Sequence, residues 1–452
     1  MELTDFNLIS KFKKHVPRLG LSKLKESPSG KTYQEMLLDT LEEMLRAATP
    51  LRDKFSLLTY SAERKRAHKE DIIFALWMTG IFGALHALKW HDRRENPGRD
   101  SLTTTPPITD EVVTYYKKLR GYEPLLYASD HGYRDHFAHV LRVWMLGIVV
   151  ACELNSPDEM IPIKVLGSGL DTRLFDESER LAVFTVAALT HDMGYPLQKV
   201  ANVNSAVDDM LKAFGGVQLN DLEFTLSPPH HQIAQDTIRL ISSRPRLSDG
   251  QPIASALLRK MAKEVMLAYD RAKTASEYEN ANKKSKEKLS LVLRCQWKYY
   301  QKYARALERT EHGFLSALLL QRKLLFFREG EFAFEEDYHF ALEEVRQFMI
   351  RREILRAVAT HTCPDIYFVS SATSEALLFF CDEIQDWARP RFDDLYAGDV
   401  VGLKMKILLH AFNPDEVSWE LQMTDPLPAE LFSRMALGIP TRINKLPQAS
   451  TR

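Results

Sequence analysis

The sequence predicts a mainly α-helical protein with a small β-hairpin near the end of the chain. Three observations support this prediction: long segments with apolar residues at helical spacing, several segments that are apolar on nearly every side, and one late segment that alternates apolar and polar residues. The chain has 452 residues, of which 45% are hydrophobic and 27% charged. This composition is typical of a globular protein with a sizeable core.

The first 110 residues are predicted to form N-terminal accessory helices. Residues 32–49 carry their apolar residues on one helical stripe, and Pro50 marks the end of that helix. Residues 69–91 are apolar on nearly every side and are expected to lie in the core rather than at a subunit interface. The segment 96–110 is rich in Pro, Gly, Ser and Thr and is interpreted as a linker.

Further along the chain, strongly apolar helices alternate with charged ones. Residues 200–310 carry charged, amphipathic helices, and the charge run at 280–290 is interpreted as a solvated helix surface or loop tip. Residues 401–423 alternate apolar and polar residues on both sides of the sequence NPDE, which predicts the hairpin. Buried helices are predicted at 133–154, 178–194, 311–327, 343–362 and 373–389.

Charge and cysteine content limit the classes of function. The chain has 60 Lys and Arg against 61 Asp and Glu, which argues against a dedicated nucleic-acid binder, although a local basic patch is compatible with a balanced total. Four cysteines without CxxC spacing are typical of free thiols in a reducing cytoplasm. Neither a secretory leader nor a membrane span is expected.

Histidine and aspartate residues recur at the edges of the most apolar helices. A single such histidine is more often a satisfied core residue than a ligand, and a single buried Asp often pairs with Arg. Several of them on separate buried helices are difficult to satisfy pairwise, and imidazole with carboxylate is the ligand set that divalent transition metals favour. The sequence therefore predicts a metal site within a helical bundle, formed from His139, His191, Asp192, His312, His361 and Asp382.

The order of these residues resembles the HD-domain superfamily of metal-dependent phosphohydrolases. The first histidine is His139 in HVLRV, the name-giving pair is His191-Asp192, and the closing aspartate is Asp382 in FFCDEIQDW. The resemblance covers about residues 125–390. It implies a helical HD bundle at 111–395 with an insertion at about 200–310, preceded by the accessory region 1–110 and followed by a hairpin and tail at 396–452.

The resemblance implies a cofactor of one or two divalent ions: Mn, Fe, Mg or Zn. The implied ligands are His139, His191, Asp192, His361 and Asp382, and Asp192 is placed to bridge two ions if two are bound. The triplet GYP that follows the pair is expected to break the helix and open the site. It does not indicate the cyclic-di-GMP-cleaving branch, where GYP stands well downstream of the pair.

Two histidines are candidates for the general acid that protonates the leaving oxygen. His312 in HGFLSA resembles the catalytic-histidine helix of triphosphate-cleaving members, but it is equally compatible with a ligand of a second ion. His231, in the turn SPPHH, is the rival candidate, and a structural role for it is about as plausible. For substrate binding the candidates are Arg142, which alternatively holds a buried carboxylate, and Tyr195.

The favoured reaction is hydrolysis of a deoxynucleoside triphosphate to nucleoside and triphosphate. Many such enzymes continue the pair as HDxGHxPxxH, whereas this chain reads HDMGYPLQKV, so Tyr195 replaces a histidine. Cyclic or oligonucleotide phosphodiesterase activity is therefore the second hypothesis, and a nucleotide-binding sensor with slow or effector-gated turnover is the third. The alarmone-hydrolase continuation HDxxED is absent. The expected partners are a nucleotide substrate, a nucleotide effector and further copies of the chain, without a membrane.

Overall fold

The structure is a computed structural model that describes the chain in several separate segments. Both predicted domain boundaries, the linker 96–110 and the tail after Pro440 lie outside the described residues. The described residues are 1–21, 31–47, 65–88, 112–119, 136–153, 177–199, 228–248, 264, 267, 268, 271, 275–321, 339–368, 373–385, 387, 405–412 and 417–423.

Eleven α-helices are defined in the described part of the chain, and one 3-10 turn, Val16–Leu19, follows the first of them. Residues 112–119 are also helical. The helices are α1 (Asp5–His15), α2 (Tyr33–Ala47), α3 (Lys65–Ala87), α4 (Phe137–Glu153), α5 (Glu177–Thr190), α6 (Pro228–Ser242), α7 (Ala275–Leu289), α8 (Trp297–Glu308), α9 (His312–Gln321), α10 (Leu342–Thr360) and α11 (Ser374–Ile384).

The most apolar helices form the centre of the fold. Helix α5 packs against α3, α4, α10 and α11, and α10 also packs against α9 and α11. Every residue of α10 but one is buried, although the helix carries seven charged residues, and its buried arginines include Arg346, paired with Glu179, and Arg356, paired with Glu375. These helices therefore lie at the middle of the bundle, and their ends meet around one point.

The N-terminal helices belong to the same core as the rest of the fold. Phe12 of α1 packs edge-on against Trp144 of α4, with ring centroids 4.8 Å apart. Trp77 of α3 donates a hydrogen bond from Nε1 to the carbonyl of Leu189, two residues before the His-Asp pair. The predicted accessory region thus supports the helix that carries the candidate site.

Two antiparallel strand pairs complete the described structure. The predicted hairpin is present as β3 (Met405–Phe412) and β4 (Val417–Met423). A second pair, β1 (Ser243–Leu247) with β2 (Leu291–Cys295), lies where only helices were predicted, so that part of the prediction was wrong. Residues 1–3 extend the C-terminal pair, since Leu3 donates its backbone N–H to the carbonyl of Ile407.

The mainly α-helical fold class is confirmed. Helix α5 ends at Thr190 rather than at 194, because residues 191–194 form a turn in which Met193 donates to the carbonyl of Thr190. Among the described residues, no helix has both the length and the apolar character needed to span a bilayer.

Candidate metal centre

Five helices deliver the predicted ligands to one point through their ends. His191 and His361 follow directly on the last residues of α5 and α10, and His312 is the first residue of α9. His139 lies in the first turn of α4, and Asp382 lies in the last turn of α11. Side chains at the ends of helices can approach one another closely, so ligands from several helices can meet at one point while each helix stays intact.

Asp192 is the central carboxylate of this cluster. Its Oδ1 lies 3.3 Å from His312 Nε2 and 3.7 Å from His361 Nε2. Its Oδ2 lies 3.4 Å from His191 Nε2 and 3.8 Å from His139 Nε2. The two oxygens of one carboxylate therefore face two different pairs of imidazoles.

Asp382 completes one of these two groups. Its Oδ1 lies 2.8 Å from His139 Nε2 and 3.6 Å from His191 Nε2. On the other side of Asp192, the Nε2 atoms of His312 and His361 are 3.3 Å apart. The cluster consequently divides into a carboxylate-rich half and a half made of two histidines with the shared Asp192.

All four imidazoles are oriented in the same way, with Nδ1 turned outward. Nδ1 of His191 donates to the carbonyl of Ala188 at 2.7 Å, and Nδ1 of His361 donates to the carbonyl of Val358 at 2.6 Å. The other two are held by glutamine side-chain oxygens: His312 by Gln198 at 2.7 Å, and His139 by Gln385. A proton fixed on Nδ1 leaves the lone pair of Nε2 directed into the cluster.

The residues fit a divalent ion. Bonds of about 2.0–2.1 Å to nitrogen and oxygen place neighbouring ligand atoms about 2.9–3.4 Å apart in octahedral or tetrahedral geometry. The donor separations of 2.8–3.8 Å are close to that range. Two groups have all ligand atoms within 4.8 Å of one another: His139, His191 and Asp382, and His191, Asp192 and His361. Nε2 of His191 is buried and makes no hydrogen bond within the described part of the chain.

Strong electrostatic coupling accompanies this geometry. Burial lowers the pKa of His191, but the charges of Asp192 and Asp382 outweigh it and raise that pKa to about 9. Burial opposes ionisation of Asp192, yet the facing histidines, His191 first, hold its pKa well below the usual range. The pKa of His361 is lowered, chiefly by burial. In the absence of an ion, additional protons on the imidazoles would neutralise the negative charge of the two carboxylates.

Gly194 allows the turn after the His-Asp pair to lie directly against α9. A Cβ at this position would stand 2.4 Å from the backbone oxygen of His312 and 2.6 Å from the backbone nitrogen of Ser316. Gly194 instead donates its N–H to Ser316 Oγ at 2.6 Å, which fixes the turn to the helix. The close contact places Asp192 within reach of His312.

Two of the predicted catalytic or substrate-binding residues lie beside the ligands. His312 belongs to the cluster itself. The ring of Tyr195 lies on that of His136, with centroids 3.7 Å apart, and 5.3 Å from the ring of His312. Lys199 Nζ stands 5.3 Å from the centre of the Tyr195 ring. Tyr195 thus forms a half-buried aromatic wall next to the centre.

The other two predicted residues do not join the cluster. Arg142 is fully buried and pairs with Asp5, the first residue of α1. The expectation that Arg142 reaches substrate is therefore not supported. The structure instead contains the alternative, in which Arg142 holds a buried carboxylate. His231 is exposed in the first turn of α6, and within the described residues it makes no contact with the ligands. An exposed side chain on that surface cannot act at a buried centre without a rearrangement.

Three contributors were missed by sequence reasoning. Gln198 and Gln385 orient two of the histidines, and His136 lies one turn before His139 with its ring against Tyr195. The spacing of His136 and His139 on one helical face was a usable signal. Gln385 lies within the predicted helix 373–389 and Gln198 follows the His-Asp turn, and nothing in the sequence marks either of them as a partner of a histidine.

Comparison with known proteins leaves the site to be judged on its geometry. No family model matches the chain, and no curated protein or solved structure is significantly similar to it.

Proposed function

We propose that this protein is a metal-dependent phosphohydrolase that acts on nucleotides. The observation that carries the proposal is the convergence of four imidazole Nε2 atoms on two carboxylates, with each Nδ1 already occupied by an oxygen acceptor. A purely structural cluster has no need for four lone pairs directed at one point, and burying them without a shared partner costs free energy. The order of the ligands along the chain, which resembles the HD superfamily, supports the same proposal.

The cluster offers two neighbouring positions for ions. His139, His191 and Asp382 would hold one, His312 and His361 would hold the other, and Asp192 would contribute one oxygen to each. A divalent ion held there would supply Lewis-acid chemistry, since it would neutralise phosphate charge and lower the pKa of a water molecule. His-rich ligation favours a transition metal such as Mn, Fe or Zn over Mg alone.

The surrounding residues position the ligands and shape the entrance. Gln198 and Gln385 hold the rings of His312 and His139 in the orientation that directs Nε2 inward. Asp382 and His312 are the most accessible members of the cluster, with side chains 20% and 19% exposed. We infer that substrate enters on their side, where Tyr195 and Lys199 supply a ring face and a positive charge.

Two reactions are proposed, in order of preference. The first is release of triphosphate from a deoxynucleoside triphosphate, the activity that the resemblance favours. The second is cleavage of a phosphodiester in a cyclic or oligonucleotide. It is favoured by the position of His312, whose Nε2 lies between Asp192 and His361 as a ligand would, rather than apart from them as a separate general acid would. A nucleotide effector and assembly of several copies remain predictions.

The deciding experiment measures metal content and turnover on the same samples. Wild type and Asp192→Asn are loaded with Mn, their bound metal is measured by mass spectrometry, and products are separated by chromatography. The substrates are the four deoxynucleoside triphosphates, singly and mixed, ribonucleotides, and cyclic and oligomeric nucleotides. His231→Ala is the matched control, because it removes an exposed histidine outside the cluster.

We expect bound metal and hydrolysis in wild type and His231→Ala, and loss of both in Asp192→Asn, with turnover falling at least about 1,000-fold. Nucleoside plus triphosphate identifies the first reaction, and a linear or shortened nucleotide identifies the second. Nucleotide binding at full affinity without metal and without turnover would refute the enzyme and support a sensor. Activity of Asp192→Asn equal to that of wild type would show that the candidate metal centre takes no part in the reaction.

A further inference from the structure

Helix α8 carries an exposed aromatic surface that the candidate centre does not use. Trp297 is 66% exposed and Tyr367 is 53% exposed, the two highest values among the large hydrophobic side chains of the described residues. Trp297 begins α8 and contacts the ring of Tyr300 edge-on at 5.3 Å between centroids. Tyr367 lies beside the same helix, with Lys302 Nζ 5.5 Å from its ring centre. Exposed tryptophan with little packing is unusual on a protein surface.

A stripe of positive charge runs along the same helix. The four cations are spaced by four, three and four residues, so at 3.6 residues per turn they fall within an arc of about 60° and extend over about 16 Å. A different face of the helix is turned inward, where Tyr303 and Ala306 are buried. The basic stripe consists of Lys298, Lys302, Arg305 and Arg309.

Among the described residues, Asp365 is the carboxylate that pairs with the basic stripe, and its backbone carbonyl accepts a hydrogen bond from Lys302 Nζ. Asp365 Oδ2 lies 3.8 Å from Arg305 Nη1 and 3.6 Å from Arg309 Nη1, and both arginine side chains are about half exposed. Lys298 makes no ion pair or hydrogen bond within the described residues. Burial, followed by the neighbouring charge of Lys298, lowers the pKa of Lys302. The repulsion among these cations would be relieved by an anion of comparable length.

The combination fits single-stranded nucleic acid better than a membrane surface. Proteins that bind single strands combine a line of cations, which follows the phosphates, with aromatic faces on which bases stack. A helix that lies in a membrane interface needs an exposed aliphatic face, whereas the inward face of α8 is already packed in the core. The near-neutral total charge of the chain is compatible with one local basic patch.

We propose that the basic stripe, flanked by Trp297 and Tyr367, binds a single-stranded oligonucleotide. The stripe ends three residues before His312, so the bound strand would lie beside the candidate metal centre. This inference goes beyond the proposed function, because binding along α8 requires neither an ion nor hydrolysis. It assigns to the same molecule a second contact with nucleic acid, made through phosphates and base faces rather than through metal.

The test is fluorescence anisotropy with a labelled 15-nucleotide oligothymidine in EDTA, which removes any contribution from the centre. The variants are Trp297→Ala, Lys298→Ala/Lys302→Ala, and the matched control Lys283→Ala/Lys284→Ala. The control removes two exposed lysines of α7, which have neither an ion-pair partner nor an aromatic contact among the described residues. Circular dichroism and thermal unfolding establish that each variant is folded.

We expect wild type to bind, with Trp297→Ala at least about fivefold weaker, as loss of one stacked base predicts. Lys298→Ala/Lys302→Ala should lower the slope of log affinity against log salt by about 1.4, since each phosphate contact on a single strand contributes about 0.7. The control should stay within about twofold of wild type. The proposal would be overturned if wild type does not bind the oligonucleotide at 50 mM salt, or if the control loses as much affinity as the test variants. Binding only to anionic phosphatidylserine vesicles would overturn it as well. A lack of hydrolytic activity would not affect it.

Discussion

Substitution of Asp5 by alanine tests whether Arg142 is structural or available to substrate. Asp5 accepts hydrogen bonds from Arg142 at both carboxylate oxygens, at 2.9 and 3.0 Å. Its Oδ1 also accepts from Trp387 Nε1 at 3.1 Å. Both members of the ion pair are completely buried. Asp5→Ala therefore leaves a buried guanidinium without the carboxylate that accepts from its Nε and Nη2.

The expected loss is large, because the buried charge remains after its partner is gone. Removing one member of a buried, hydrogen-bonded pair costs about 3–5 kcal/mol, whereas replacing both members by apolar residues of similar size costs far less. We therefore expect Asp5→Ala and Arg142→Met each to lower the free energy of unfolding by at least about 3 kcal/mol. The double variant Asp5→Leu/Arg142→Met should lose less than the sum of the single changes, with a coupling energy of at least about 2 kcal/mol.

The assay is urea unfolding followed by circular dichroism, in EDTA so that metal binding does not contribute. Lys13→Ala serves as a control, because its ion pair with Glu42 is partly exposed and should contribute no more than about 1 kcal/mol. Additive effects, or an Asp5→Ala variant within about 1 kcal/mol of wild type, would refute the reasoning. Arg142 would then return as a candidate for phosphate binding.

Two further predictions concern the ligand orientation and a buried carboxylate. Gln385→Met removes the acceptor of His139 Nδ1 and should weaken metal affinity about 10–100-fold, measured by competition with a chelating dye. Gln385→Glu should restore the affinity. Equal affinities in the two variants and wild type would show that the ring of His139 needs no such partner. Burial, opposed by Arg352 and reinforced by Glu375, raises the pKa of Glu353 to about 7 from 4.5. The folded state then holds a proton that the unfolded state has lost, so this contribution to stability is present below pH 4.5 and disappears as pH rises to about 7. Relative to wild type, Glu353→Gln should gain in melting temperature between pH 5 and 8, and parallel pH profiles would contradict this.

The candidate ligands, which lie together in the structure, could be picked out from the sequence because they interrupt strongly apolar segments. His139, His191 and His361 stand out where nearly every neighbour is hydrophobic, and a polar group in such a helix needs a partner. Hydrophobic periodicity also located the helices to within a few residues. The hairpin at the end of the chain was visible because strand alternation is a local signal.

What the sequence did not predict depends on contacts between distant residues. The partner of Arg142 is 137 positions away, and no local pattern distinguishes an arginine that pairs with Asp5 from one that faces a phosphate. Strand β1 reads SRPRL, with two arginines and a proline, and becomes a strand only through its pairing with β2, some 48 residues later. The exposed environment of His231 likewise follows from packing that its own sequence does not encode.

The ends of α5 and α10 explain why a His-Asp pair closes one of the most apolar segments of the chain. The last carbonyls of a helix have no partner within the helix, and in a core they must find one. His191 and His361 each satisfy such a carbonyl, three residues earlier, through Nδ1. The same hydrogen bond fixes the ring and presents Nε2 to the neighbouring helix end. Ending two buried helices with histidine thus caps both of them and builds two ligands at once, and Asp192 joins them because the turn that Gly194 allows brings it against α9.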